Sequence, residues 1–179
     1  MGCCRAEERQ LAMKKVLLIA TTRLSMDGLT EILLRVARIV AREYSVGFAL
    51  SEGCSTEIQP QLEAIGSVYK LPSRKKQLPC YMAALASLVK KKGYEVVHIH
   101  GNSATMAFDL LAAWAGGATV RITHCHNCAY QPALKQATLG KLLNRLVTDP
   151  VACSRAAGEM LYTRPFRVLV NGIDCERFS

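Results

Sequence analysis

Met13-Lys14-Lys15-Val16-Leu17-Leu18-Ile19-Ala20 is the stretch from which the pattern of this chain unfolds. Two lysines feed an unbroken apolar run, and a run that is apolar on both faces reads as the first strand of a buried parallel sheet. The strand is expected over 16–20. Asp27-Gly28 then opens a helix to about residue 43, with Leu29, Ile32, Leu33, Val36, Ile39 and Val40 at helical spacing and Arg35, Arg38 and Arg42 off that face. A strand over 45–50, a short polar helix over 56–65 and a strand over 67–71 follow. The segment Pro72-Ser73-Arg74-Lys75-Lys76-Gln77-Leu78-Pro79 reads as an exposed basic loop, because two prolines bracket a run without apolar partners. The next helix, over 80–92, ends in Lys90-Lys91-Lys92-Gly93, with cations in its last turn and a glycine just beyond. Strands over 95–100, 118–125, 150–153 and 167–170 are separated by helices over 103–114 and 133–147 and by a short one from Ser154. This alternation predicts an α/β domain over 13–179 with a mostly parallel sheet of about seven strands. Residues 1–12 are expected to be a disordered extension.

Composition sets outer bounds. The chain has 179 residues, half of them apolar, and 23 Lys+Arg against 14 Asp+Glu give a net charge of +9. That length suits one domain with a full core, about 16 Å in radius of gyration. No apolar run approaches the ~20 residues that cross a bilayer. The first dozen residues carry no apolar core of a secretory signal, so the chain is expected in the cytoplasm. Its eight cysteines are therefore expected to be reduced and mostly buried. Met1-Gly2-Cys3-Cys4 resembles an acylation signal, but Ala6 stands where that signal takes Ser or Thr. The positive charge does not come as a basic helix interleaved with aromatics, so no nucleic-acid partner is expected.

Polar groups concentrate where the strands end. In open parallel sheets, ligands bind beyond the carboxyl ends of the strands. All four histidines sit there in two pairs, His98-Ile99-His100 and His124-Cys125-His126. Residues two apart on a strand share a face. Three readings follow: His98 and His124 as buried residues bonded to backbone; a zinc site drawing also on Cys125 and Cys128; or His100 and His126 as groups that reach a ligand. The zinc reading has no nearby carboxylate and no Cys-x-x-Cys or His-Glu-x-x-His spacing behind it, and no metal ligand is assigned. Asp27-Gly28-Leu29-Thr30 sits where phosphate-binding loops sit, at a helix N-terminus with free N–H groups, although Asp27 could equally be a plain N-cap.

Four segments carry a family resemblance. Val168-Leu169-Val170-Asn171-Gly172-Ile173-Asp174, with Phe178 beyond it, resembles the interdomain junction of family 4 nucleotide-sugar glycosyltransferases. Tyr94-Glu95-Val96-Val97-His98-Ile99-His100-Gly101-Asn102 is similar to the strand-four segment of that family, and Arg121-Ile122-Thr123-His124-Cys125-His126-Asn127 and Ala152-Cys153-Ser154-Arg155-Ala156-Ala157-Gly158 are similar to segments of its capsule and exopolysaccharide branch. The resemblance covers 13–179 in order and spacing. It implies the Rossmann-like, three-layer N-terminal half of a GT-B fold, the acceptor side of a retaining enzyme that works without a metal or other cofactor, with a nucleotide-sugar as donor substrate. It implies that His126 is the catalytic contact to the transferred sugar or its phosphate. Asp27, Gly28 and Leu29 then approach the donor diphosphate, His100, Asn102 and Asn127 line the cleft, and Asn171, Gly172 and Asp174 form the junction. The family often has two or three glycines in the first loop, whereas Thr21-Thr22-Arg23-Leu24-Ser25-Met26 has none. In the family most donor contacts come from a second domain, so the isolated chain is expected to show no turnover.

Acceptors of this class are commonly saccharides or lipid-diphosphate-linked sugars. Arg74-Lys75-Lys76, Lys90-Lys91-Lys92, Lys135, Lys141 and Arg145 are accordingly candidates for facing an anionic membrane surface at the inner side of the cell membrane, with an ordinary solvated face as the alternative. A stand-alone nucleotide- or saccharide-binding module, or a zinc protein, are the competing functions.

Overall fold

The apolar run becomes β1 (Lys15–Ala20), the third strand of a single sheet. The computed structural model describes residues 14–127 and 133–171. The expected extension over 1–12, Cys128, Gly172, Asp174 and Phe178 lie outside the described residues, as does the side chain of Lys135. The chain continues through α1 (Gly28–Val40), β2 (Ser45–Leu50), α2 (Gln59–Glu63), β3 (Ser67–Lys70), α3 (Leu78–Lys92), β4 (Val96–Gly101), α4 (Met106–Ala115), β5 (Val120–Cys125), α5 (Ala133–Leu146), β6 (Asp149–Ala152), α6 (Arg155–Leu161) and β7 (Arg167–Val168). The sheet order is β3-β2-β1-β4-β5-β6-β7, and every neighbouring pair is parallel. The fold is the expected three-layer, Rossmann-like α/β domain.

The order in which strands join the sheet reverses after β3. The chain builds outward from β1 through β2 to β3, then crosses back to pair β4 with the free side of β1. Right-handed crossovers on either side of this switch place helices on opposite faces. On one face α1 and α2 pack with Val16, Leu18, Val46 and Phe48; on the other α3 to α6 pack with Leu17, Ile19, Val97 and Ile99.

Local chemistry explains where the helices start and stop. Asp27 is the N-cap of α1, its carboxylate accepting from Thr30 N at 2.9 Å. Ser154 caps α6 in the same way through Ala157 N, at 3.2 Å. Gly93 ends α3 with a φ of 69°, a left-handed value that side-chain-bearing residues avoid. Lys15 Nζ donates to Lys92 O at 3.0 Å, placing a further cation at that helix's negative end. Pro79 lies in the first turn of α3, where its missing N–H costs nothing, so the helix begins two residues earlier than its prolines suggest.

Several expectations are corrected. Ile39 is 63 % exposed; the face of α1 that packs inward is Thr30, Leu33, Leu34 and Ala37 with Ile32 beside it. The edge strand β7 is two residues long, and only one further bond, Leu169 N to Ala152 O at 2.9 Å, extends it. Of the described cysteines Cys80 is exposed, Cys54 and Cys153 are half-buried, and only Cys125 is buried.

The largest correction concerns the basic loop. Arg74 turns inward and meets Asp109 of α4, which is 0 % exposed. Its Nε lies 3.1 Å from both carboxylate oxygens and its Nη2 2.8 Å from Oδ2, while Nη2 also donates to Thr105 O at 2.7 Å. The Tyr81 hydroxyl of α3 donates to Asp109 Oδ1 at 2.6 Å. Burial and the Asp109 charge together hold the Tyr81 hydroxyl protonated, its pKa raised well above the usual value. Burial works against the Arg74 charge, and Asp109 outweighs it. Removing either member of such a pair leaves the other charge buried without its partner, which is strongly destabilising. Asp109→Ala is therefore expected to cost about 3–5 kcal/mol in urea unfolding. The Arg74→Ala, Asp109→Ala double variant should lose less than the two singles added, and strict additivity would show that the pair does not act as a unit.

Candidate functional site

The carboxyl edge of the sheet at the switch between β1 and β4 collects the residues that the sequence singled out. Thr21 N, one residue past β1, donates to His100 O at 3.0 Å and carries the pairing of the two strands to their ends. Gly101 closes β4 in a gap that a side chain would fill: a Cβ there would stand 2.6 Å from Thr21 Oγ1 and 2.9 Å from Met106 Sδ. Just beyond, His126 N donates to Gly101 O at 3.2 Å and to Asn102 Oδ1 at 3.3 Å. Asn102 thus braces the backbone that carries His126.

The loop after β1 is held without glycines. Leu24, 0 % exposed, forms an isolated parallel bridge with Cys54. Leu24 N donates to Gly53 O at 3.1 Å, Ser55 N to Leu24 O at 2.9 Å, and Arg23 Nη2 to Cys54 O at 2.9 Å. An apolar anchor and a short ladder therefore fix the approach to α1. Gly28 faces open space, with nothing within 4 Å of where a Cβ would stand. Partial burial pushes the Asp27 carboxyl up, but bonds from Thr30 N, the Ser25 hydroxyl and Leu29 N outweigh it and leave its pKa lowered. Asp27 is thus committed to capping, and Gly28 and Leu29 form the surface next to it.

All four histidines share one face of the sheet. In register, His98 lies opposite Leu18, His100 opposite both Ala20 and His124. The ring centroids of His98 and His100 are 4.2 Å apart, those of His124 and His126 4.2 Å, and those of His100 and His126 5.1 Å. His100 Nδ1 and His126 Nε2 are hydrogen-bonded at 2.9 Å. His100 and His124 are 0 % exposed and His98 8 %. The expectation of a backbone bond is not met at His124, and at His98 the Nε2 has no such bond. Both nitrogens of His124, and Nε2 of His98 and His100, have no hydrogen-bond partner among the described residues, nor has His126 Nδ1.

Burial dominates the electrostatics here. It pushes the pKa of His98 and of His124 down to about 3, with His126 adding to the effect in both. Burial and then the neighbouring imidazoles hold His100 well below its usual value. Burial takes His126 to about 4 even though the Asp27 carboxylate opposes the shift. Near neutral pH the cluster is four neutral imidazoles.

Other motif residues have structural work. Gly158 makes room for the Phe166 ring, whose atoms would collide with any Cβ there. Arg121 Nε donates to Leu146 O at 2.8 Å at the end of α5. Asn127 and Asn171 are exposed, the latter at the end of the described chain. Arg23 and Thr21 border the site and carry no sequence signal of their own.

The cluster gives the fold a pH dependence with a definite sign. Unfolded imidazoles take up protons near pH 6.5, whereas the folded ones wait until about 3 to 4, so the unfolded chain binds more protons between these values. Stability present above about pH 6.5 is lost as the pH falls. At about pH 5, in chelator-containing buffer, each imidazole kept neutral by the fold costs about 2 kcal/mol relative to neutral pH. Urea midpoints should fall accordingly, with a smaller slope in His124→Leu; a flat profile in the wild type would show that the imidazoles are not buried in neutral form.

Comparison with known proteins follows this geometry. The fold is similar to HepE of Anabaena in complex with UDP and glucose, with a TM-score of 0.63 at 17% identity over 91% of this chain and 46% of that one. It is similar to MurG of Acinetobacter baumannii, with a TM-score of 0.60 at 14% identity over 90% and 46% of the two chains. An O-GlcNAc transferase of Thermobaculum terrenum gives 0.53 at 17% identity over 91% of this chain and 28% of that one. The chain thus spans less than half the length of these structures. No curated sequence matches it significantly. The sequence model of Glycosyltransferase Family 4 matches residues 28–177, from the first turn of α1 to beyond β7. With most of its length inside that match, the chain belongs to Glycosyltransferase Family 4 and has the fold of the N-terminal half of a GT-B glycosyltransferase.

Proposed function

We propose that this chain is the acceptor-side half of a retaining glycosyltransferase that moves a sugar from a nucleotide-sugar donor to a saccharide or lipid-diphosphate-linked acceptor in cell-surface polysaccharide synthesis, at the cytoplasmic side of the membrane. The observation that carries the reading is the convergence of His126, His100, Asn102 and the α1 N-terminus on the carboxyl edge at the β1–β4 switch. Ligands of open α/β sheets collect at such a point.

In this reading His126 acts as a neutral hydrogen-bond donor to the transferred sugar or its phosphate. His100 holds its ring from behind, and Asn102 holds its backbone. The donor diphosphate passes over Gly28, where there is open space, and the neighbouring Leu29. Asn127 lies at the rim, and Asn171, Gly172 and Asp174 lead to the half of the enzyme that binds the nucleotide. Cations and N–H groups around the departing diphosphate supply the main catalytic term of such a transfer. A second domain is their source, so the 179-residue chain alone turns nothing over.

Labelled sugar transfer by the full-length protein tests this reading. His126→Ala is expected to lower kcat by about 100-fold with the fold retained. An unchanged kcat would remove His126 from the chemistry, and transfer by the 179-residue chain alone would remove the need for a second half.

Membrane contact rests on fewer residues than the charge suggests. Arg74 is buried against Asp109, so it is withdrawn from this surface. Lys75 and Lys76 precede α3 and Lys90, Lys91 and Lys92 end it, about 20 Å apart along the helix, and all five are exposed. No helix among the described residues is long and apolar enough to cross a membrane, which leaves surface attraction at about 1 kcal/mol per basic residue. Flotation with anionic vesicles should exceed that with neutral ones and weaken in a Lys75→Glu, Lys76→Glu variant. Equal recovery from both lipids would leave these lysines as an ordinary solvated face.

A further inference from the structure

We propose that His98, His100 and His124 form a binding site for one divalent transition-metal ion of the zinc class, with His126 as the group that orients it from outside. Three observations carry this. Each of the three residues can offer a ring nitrogen such that the three atoms lie within 4.8 Å of one another. All three side chains are at least nine-tenths buried. Each of the three rings also has at least one nitrogen, Nε2 of His98 and of His100 and both nitrogens of His124, that lacks any hydrogen-bond partner among the described residues.

Burying an unpartnered polar nitrogen is costly, and here several such atoms face one another. Ordinary hydrogen bonding does not resolve the arrangement, because these nitrogens find no donor or acceptor among the described residues. A cation that accepts lone pairs does. Neutral imidazole is the preferred donor for zinc and its neighbours, and three histidines with a fourth position left to water or substrate form a known donor set for zinc. A tetrahedral ion with Zn–N near 2.1 Å needs nitrogens ~3.3 Å apart, so each must move inward by about 1 Å. Ring rotation on two rigid, registered strands supplies that movement. His98 keeps 8 % of its surface exposed and marks the side from which an ion enters.

The pairing of His100 with His126 then acquires a direction. When His100 Nε2 binds the ion, its Nδ1 carries the proton and donates to His126 Nε2 across the 2.9 Å bond. Metal-bound histidines commonly donate their second N–H in this way, which fixes ring and tautomer. His126 must then carry its own proton on Nδ1 and present an N–H donor. The ion therefore sets the tautomer of the histidine that the proposed transfer uses, but its binding does not depend on that transfer.

The full-length protein, stripped with a chelator and titrated with Co²⁺, tests the site. One equivalent should bind saturably, give visible bands of a tetrahedral nitrogen site, be displaced by Zn²⁺ and raise Tm. The His98→Gln, His124→Gln double variant should lose these signals, and His126→Gln should weaken binding by about 10- to 100-fold. Circular dichroism in chelator shows whether the variants are folded. X-ray absorption of the zinc-loaded wild type needs no variant: imidazole scattering supports the site. Sulfur scattering at about 2.3 Å would assign the ion to thiolates and overturn it. So would unchanged binding by the folded double variant, or no saturable binding at all. Saturable Co²⁺ binding by a wild type that transfers no sugar, or sugar transfer by a wild type that binds no Co²⁺, separates this site from the proposed function.

Discussion

The pairing of β1 with β4 is the constraint on which this molecule depends. It is where the sheet reverses its order of growth, and so where helices change sides and leave the carboxyl edge uncovered. The two strands must come close to their last residue for that edge to be a site. Thr21 N bonded to His100 O does this, and the tight space around Gly101, between Thr21 and Met106, permits it. A side chain at 101 would separate the loop of β1 from the start of α4. Asn102 and the backbone of His126 hang from the same point.

The crossover that reaches β4 is secured from the other face. Arg74, in the loop between β3 and α3, joins Asp109 and the Thr105 carbonyl at the start of α4, and Tyr81 of α3 completes the bond set. A buried ion pair of this kind adds little net stability over apolar packing, because both charges lose their water. Its value is positional. An unpaired Asp109 in this core would be so unfavourable that α3 and α4 can dock in only one register, and that register fixes how β4 enters the sheet. The polar cost is carried on the face away from the cleft, and the histidines occupy the other.

Much of this was legible because strand and helix write different periods. The apolar runs of β1, β2 and β4 and the caps Asp27, Ser154 and Gly93 specify elements locally, so their positions follow from neighbours in sequence. Arg74 and Asp109 do not, since a basic run between prolines looks solvated until a carboxylate 35 residues away is brought beside it. Ile39 misled for a related reason: hydrophobicity at helical spacing names a face, but the sheet below selects Thr30 and Leu34 instead. The two histidine pairs were visible as pairs. That they merge into one cluster depends on the register of β4 against β5, which only the folded sheet sets.

The charge at the cleft edge follows from these placements. Its four imidazoles are neutral because burial outweighs every other influence on them. The Asp27 carboxylate already occupies the Thr30 N–H and offsets part of the positive end of the α1 dipole. What remains is open space at Gly28, with Arg23 in the adjoining loop held toward the Cys54 carbonyl. Such an edge suits a neutral sugar, whose hydroxyls need direction more than charge. It is poorly suited to stabilising a departing diphosphate, which carries its negative charge into the transition state. The +9 of the whole chain does not alter this, because many of its basic residues lie elsewhere, Lys75 and Lys76 before α3 and Lys90 to Lys92 at its far end. The division of labour in the proposed reaction is thus set by burial: a half that excludes water well enough to hold its histidines neutral orients the sugar, and the cationic work falls to the groups that face it.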